Sequence, residues 1–298
     1  MPAETTWFAN ISNPQTRRAY QSDLTQFIAF VGIQTPTEFR QVTRAHILAW
    51  RADLEKQELA GSTIRRKLAA LASLFEYLCN QNAVTHNPVK GVKRPVVETQ
   101  EGKTPALSNH QARQLLEAPP ADILKGVRDR AILSVLLYHG LRRGELTRLK
   151  VKDFGQERRG VPHLQVHGKG GKLRDLPIHS DSLQLVNAYL AAAGHGTDSC
   201  GPLFRPVSHH AASAPGRRLT PGAIYSEVVR KYLGILKIQG DNLGPHALRA
   251  TAATCALEHH ADIAKVQEWL GHANISTTRV YDRREIRASD SPTFSIVY

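Results

Sequence analysis

Three cysteines in 298 residues, Cys79, Cys200 and Cys255, are too few and too widely spaced for a disulfide framework or a CxxC zinc site. They are expected to be reduced thiols used for packing. No apolar run approaches the ~18 residues of a transmembrane helix, and the opening MPAETTWFANISN lacks the basic and apolar regions of a secretory signal. The expectation is a cytoplasmic protein with no membrane partner. Acidic residues are scarce as well: 26 Asp and Glu stand against 39 Lys and Arg, a formal net charge of +13. That balance disfavours an acidic site acting on cations and favours a polyanion, nucleic acid ahead of a membrane surface. Internal repeats and low-complexity segments are missing. With 41% hydrophobic and 22% charged residues, the composition is that of a globular chain long enough for two domains.

Helical spacing dominates the N-terminal region. Asn13 before Pro14 is a cap followed by a first-turn proline, and Tyr20, Leu24, Phe27 and Phe30 recur on one face, predicting a helix to about Val31. A second helix fits Arg44 to Gln57. A third starts near Ser62 or Thr63, with Ile64, Leu68, Leu71, Phe75 and Leu78 as its apolar stripe. Arg65 and Arg66 lie off that stripe beside the helix start, either a phosphate-binding surface or a solvated basic face. Residues 93–106, KRPVVETQEGKTPA, have no period, two prolines and three basic residues, among them Lys93 and Arg94. They are expected to form an extended linker that could span roughly 45 Å. The domains are thus placed at 1–92 and 107–298. The basic excess is shared, with 12 basic against 8 acidic side chains in residues 1–100, so both parts could touch one polyanion.

The second region opens with a capping box, Ser108 and Gln111. Residues 127–138 read as a buried helix stopped near Gly140, and Leu141 to Lys150 as another. Alternation in His163–Val166 and Leu173–Ile178, on either side of Gly168-Lys169-Gly170-Gly171, signals a hairpin. Thr220-Pro221 begins a helix with Ile224, Val228, Tyr232 and Ile235 on one face. The fold class is therefore mainly α: an all-helical domain, then a mixed α+β domain with a small antiparallel sheet.

Several polar residues stand at places where a backbone can aim them. Arg142 follows the Gly140 stop, Lys169 sits at the hairpin tip, and His246 and Arg249 lie three apart on the first turns after Gly244-Pro245. His272 follows the Gly271 stop of a helix capped by Asp262, and Tyr281 comes nine residues later. GKGGK is no Walker loop, because Leu173 follows Lys172. The pairs His209-His210 and His259-His260 lack partners at ligand spacing, so no metal site is expected.

In order, these segments read GLRRGEL (140–146), GKG (168–170), HALR (246–249) and LGHANISTTRVY (270–281). The set resembles the tyrosine recombinases, or phage-type integrases, over essentially the whole chain, most nearly a simple Xer-like or mobile-element type. The resemblance implies a core-type DNA-binding domain and a catalytic domain that clamp duplex DNA and exchange strands through a covalent 3'-phosphotyrosine. It implies Tyr281 as nucleophile, Arg142 and Arg249 as the grip on the non-bridging phosphate oxygens, and His246 and His272 as supporting donors or proton handlers. Lys169 would be the general acid, a role that Lys172 could contest, and Glu145 would orient an arginine. Arg65, Arg66, Lys93, Arg94 and Lys172 are the expected DNA contacts. Guanidinium forks can stabilise charge on an attacked phosphodiester without a metal, so no cofactor is called for. The implied partners are a double-stranded recombination site, further copies making a tetramer on paired sites, and a second recombinase or a DNA-bending protein, all on nucleoid DNA. The alternating tail around Phe294 and Ile296 is expected to dock on its own domain or on a neighbouring protomer.

Overall fold

The computed structural model describes residues 3–96, 105–168, 171–207, 216–240 and 243–283. The chain divides into two compact units, Met1–Glu98 and Thr99–Tyr298, a division that falls within the segment expected to be the linker. Residues 97–104, Lys169, His209-His210 and the tail bearing Phe294 and Ile296 lie outside the described residues.

The first unit is helical: α1 (Ala3–Ala9), α2 (Pro14–Val31), a 3-10 turn at Pro36–Gln41, α3 (Arg44–Lys56) and α4 (Gly61–Asn80). The Asn13 side chain accepts from the Gln15 and Thr16 N–H groups, which have no carbonyl partner in a first turn, and Gly32 closes α2 at φ 80°. Leu24 and Phe27 of α2, Ile47 and Trp50 of α3, and Leu68, Leu71 and Phe75 of α4 form one core, with the Phe27 and Trp50 rings edge to face at 5.0 Å. Phe30 is a correction: it is 42% exposed, because three residues at 100° each leave it about 60° short of Phe27. Periodicity also missed α1, whose Trp7 is buried and stacked on Tyr20.

The second unit contains α5 (Asn109–Glu117), α6 (Leu124–His139), α7 (Arg143–Leu146), β1 (Phe154–Arg158), β2 (Val161–His167), β3 (Leu173–Pro177) and α8 (Ser180–Ala193). Then come α9 (Pro221–Ala223), which runs through a π-helical segment Ile224–Arg230 into α10 (Lys231–Ile235), α11 (Pro245–Glu258), α12 (Ile263–Leu270) and α13 (Ser276–Arg279). Helix α6 is buried along Ala131–Leu136 and packs against α8 and α11. The antiparallel sheet has the order β1-β2-β3, with His163 opposite Pro177 and His167 opposite Leu173. Gly168 N–H donates to the Lys172 carbonyl at 2.7 Å across the β2–β3 turn.

Four expectations are corrected. Residues 141–150 do not form one helix, since Arg142 is extended (φ −70°, ψ 144°) and α7 is a single turn before Lys150 bridges to Pro202. Strand β1 was missed; its glycine and its charged residues at 157–158 hide the alternation. Ile235 is 59% exposed, because the wider π turn rotates it off the face that buries Ile224, Val228 and Tyr232. Cys200 is exposed rather than packed, while Cys79 and Cys255 are half-buried, and all three are free. Among the described residues no helix is long and apolar enough to cross a membrane, and no His, Cys, Asp and Glu cluster could hold a metal.

Candidate active site

Two helix stops build the floor of the site. Gly140 ends α6 at φ 58° and Gly271 ends α12 at φ 67°, conformations costly for any residue with a Cβ. At Gly140 a Cβ would also lie 2.9 Å from Leu270 Cδ2. The last carbonyls of a helix lack intrahelical donors and carry its negative dipole end, so two such ends side by side attract a cation. Arg249 fills that position from the second turn of α11. It is 1% exposed, and its Nη1 donates to the Gly140 carbonyl at 2.5 Å while Nη2 donates to the Leu270 carbonyl at 2.6 Å. Burial, then the charge of Arg142, lowers its pKa to about 10, so it stays protonated at neutral pH.

Arg142, just beyond the Gly140 stop, is held by a carboxylate one turn later. Glu145 is almost fully buried and accepts four hydrogen bonds. Its Oε1 takes Arg142 Nη1 at 2.8 Å and Arg174 Nη1 at 3.0 Å, and its Oε2 takes the Arg142 N–H and Arg174 Nη2, both at 2.9 Å. Burial raises the carboxyl pKa, but the hydrogen bonds of Arg174 and the Arg142 N–H, then the charge of Arg174 and the hydrogen bond of the Arg142 side chain, outweigh it and hold the group down at about 2. Arg142 Nη2 reaches the Gly271 carbonyl at 3.5 Å, and its side chain remains 39% exposed.

His272 follows Gly271. Its Nε2 lies 2.9 Å from Arg249 Nη2 and its Nδ1 2.9 Å from Thr278 Oγ1. A guanidinium only donates, so Nε2 must accept, and the proton therefore sits on Nδ1, donated to Thr278. Burial and the charges of Arg249 and Arg142 lower the His272 pKa to about 4, consistent with a neutral ring. The Tyr281 ring stands 6.0 Å from that of His272 and is buried among Ala250, Ala253, Leu257, Val266 and Leu270. Thr254 Oγ1 donates to its carbonyl at 3.1 Å. His246 reaches solvent from the first turn of α11, but the surrounding protein desolvates part of its ring, and this, followed by the charges of Arg249, Arg142 and Arg143, lowers its pKa. Arg142, Glu145, His246, Arg249, His272 and Tyr281 thus gather in one place. Arg142 and Arg174 face one another across a single shared carboxylate with Arg249 close by, so three guanidiniums gather around one acidic side chain.

The other expected residues fall elsewhere. Lys172 is exposed in the β2–β3 turn, whose tip residue Lys169 is not among the described residues. In the first unit Lys93 and Arg94 are exposed, and Arg65 Nη1 donates to the Pro95 carbonyl at 3.2 Å. Arg66 is not a free surface cation, because it pairs with the buried Asp23. Sequence reasoning missed Arg174, although a signal existed. Arg174 shares a strand face with Leu176 and lies opposite Val166, both buried, and an arginine on a core-facing position requires a buried acid.

The family models described as Phage integrase family and Phage integrase, N-terminal SAM-like domain match residues 105–286 and 9–82 respectively. The chain is 34% identical over 268 residues to the tyrosine recombinase XerC of Herpetosiphon aurantiacus, covering 89% of this chain and 83% of that one. Its fold is similar to that of the XerH site-specific recombinase bound to a palindromic difH substrate in a post-cleavage complex, with a TM-score of 0.69 at 22% identity over 89% of this chain and 75% of that one. It is also similar to a lambda integrase tetramer bound to a Holliday junction, with a TM-score of 0.66 at 18% identity over 96% of this chain and 78% of that one. The chain belongs to the phage integrase family, the tyrosine recombinases.

Proposed function

We propose that this chain is a site-specific DNA recombinase that breaks and rejoins strands through Tyr281. Carrying the reading is a connected set: Arg142 Nη2 reaches the Gly271 carbonyl, Arg249 donates to the ring of His272, and that ring stands 6.0 Å from the buried ring of Tyr281. Tyr281 Oη attacks the phosphorus and gives up its proton, the bond to the 5'-oxygen breaks, and that oxygen leaves as a hydroxyl with a proton from a general acid. The products are a 3'-phosphotyrosine and a free 5'-hydroxyl. Reversal by a hydroxyl from another strand rejoins the backbone, and the energy of the broken bond is kept in the phosphotyrosine.

Each side chain has a place in this scheme. Arg142 Nη2 and Arg249 grip the two non-bridging oxygens, whose charge grows in the transition state. His246, exposed and neutral at pH 7, is the group placed to take or give a proton, and His272 holds Arg249 through its Nε2 lone pair. Lys169 protonates the leaving oxygen. Lys172, Lys93, Arg94 and Arg65 supply phosphate contacts, with Arg66 contributing through its partly exposed edge. Residues 93–106 join the two domains in sequence, and both domains bind the duplex. The working assembly is a tetramer on paired sites in nucleoid DNA, where each protomer binds one half-site.

The test uses a pool of nicked, randomised duplexes in which cleavage releases a short fragment and traps the covalent product. The wild-type chain should form an adduct that survives denaturant. Tyr281→Phe should bind the recovered duplexes and form none; an undiminished adduct would refute the assignment.

A further inference from the structure

Arg174 projects from β3 and touches three elements. Its fork is bidentate on Glu145 beside α7, at 3.0 and 2.9 Å. It lies flat against the backbone after α12, where a Cβ on Gly271 would come 3.0 Å from its Nη1 and 3.4 Å from its Cζ. It also borders the start of the β2–β3 turn, with Nη1 3.8 Å from where a Cβ on Gly168 would be. Both terminal nitrogens are turned onto the carboxylate and the side chain is only 14% exposed, so the fork is committed to Glu145. Arg142, by contrast, gives Glu145 one terminal nitrogen and keeps Nη2 towards the site.

We infer that Arg174 is a positioning residue for strand cleavage, acting through Glu145 to fix the fork of Arg142 against the scissile phosphate. Glu145 alone could meet Arg142 in several ways, since a carboxylate has four acceptor positions. Arg174 occupies one position on each oxygen, leaving one on Oε1 for Arg142 Nη1 and one on Oε2 for the Arg142 N–H. The rotamer of Arg142 follows from the pair that Arg174 leaves open. The inference rests on the proposed role of Arg142 and adds a residue two positions past the hairpin turn to the machinery.

The experiment measures single-turnover adduct formation on the duplexes that the wild-type chain captures from the randomised pool. Arg174→Lys and Arg174→Met should each lower the rate by about 100-fold, the scale of a misplaced catalytic group, with binding of the same duplexes little changed. An ammonium cannot span two carboxylate oxygens, so lysine should not rescue.

The pH profile separates positioning from general damage. The charged groups facing Glu145 are Arg142, Arg174 on β3 and Arg249 on α11. Without Arg174 two of the four hydrogen bonds go, the carboxyl pKa rises, and the variant rate should fall as pH is lowered from about 7 to about 5, where the wild-type limb set by Glu145 is flat. A variant profile parallel to wild type would overturn the inference. So would rescue of Arg174→Met by a 5'-bridging phosphorothiolate, which would place Arg174 on leaving-group protonation instead. If Arg174→Met melts below the assay temperature, the double variant Glu145→Gln/Arg174→Met removes both buried charges and supplies a folded background. There the loss should match that of Glu145→Gln alone, and additive losses would overturn the inference. Absence of any wild-type adduct would instead refute the proposed function.

Discussion

Replacing Glu145 by glutamine should destabilise the second unit far more than an isosteric change suggests. The carboxylate accepts four hydrogen bonds at 2.8–3.0 Å from two guanidiniums and one backbone N–H, and the residue is 2% exposed. A glutamine oxygen keeps at most two of them, while its NH2 faces donors. Each lost charge-assisted bond is worth about 1.5–3 kcal/mol, and two guanidiniums lose their counter-charge, so the expected cost is about 4 kcal/mol. For a unit of about 200 residues, at roughly 2–4 °C per kcal/mol, Tm should drop by about 10 °C. Urea denaturation at pH 7 measures the cost directly. The sign with pH is fixed by the lowered carboxyl pKa: its stabilisation is complete above 4.5 and is lost as pH falls towards about 2, so the gap between wild type and variant must narrow over that window. A difference below about 1 kcal/mol at pH 7 would refute the view of Glu145 as the counter-ion of two arginines.

Three further outcomes are expected. His139 and His272 are buried with pKa values lowered to about 4, so the unfolded chain binds more protons between pH 4 and 6.5; stability should be full above 6.5 and fall as pH drops to 4, by up to roughly 3 kcal/mol per histidine, and His139→Gln should flatten that slope in urea titrations. Gly271→Ala places a Cβ at positive φ against Arg174 and should cost about 1–2 kcal/mol by thermal melting while also slowing adduct formation. A 5'-bridging phosphorothiolate should restore cleavage to Lys169→Ala but not to Arg249→Ala, and rescue of Lys172→Ala instead would exchange the two lysines.

Much of the fold was legible because its signals are local. Asn13, Ser108, Thr220 and Asp262 each cap the helix that their position in the sequence announced, and Gly140 and Gly271 each stop one. What stayed hidden depends on partners distant in sequence. Residues 141–150 have helical composition, yet Arg142 is extended and Lys150 pairs with Pro202, 52 residues on, which leaves one helical turn between them. The tautomer of His272 is set by Arg249, 23 residues earlier, and Thr278. Arg66 looked like a free cation because Asp23, its counter-ion, lies on another helix. The site residues stood out by order and spacing, whereas the network that holds them, Arg174 above all, required the strand register.

The identity of the covalently linked residue is the most direct test. After wild-type protein has reacted with a nicked duplex, nuclease and trypsin digestion should leave a nucleotide remnant on the peptide Val280–Arg283, attached through the phenol of Tyr281. A remnant on Tyr225 or Tyr298, or on any serine, with Tyr281 unmodified, would contradict the assignment of the nucleophile and with it the geometry proposed for Arg142, Arg249 and His272.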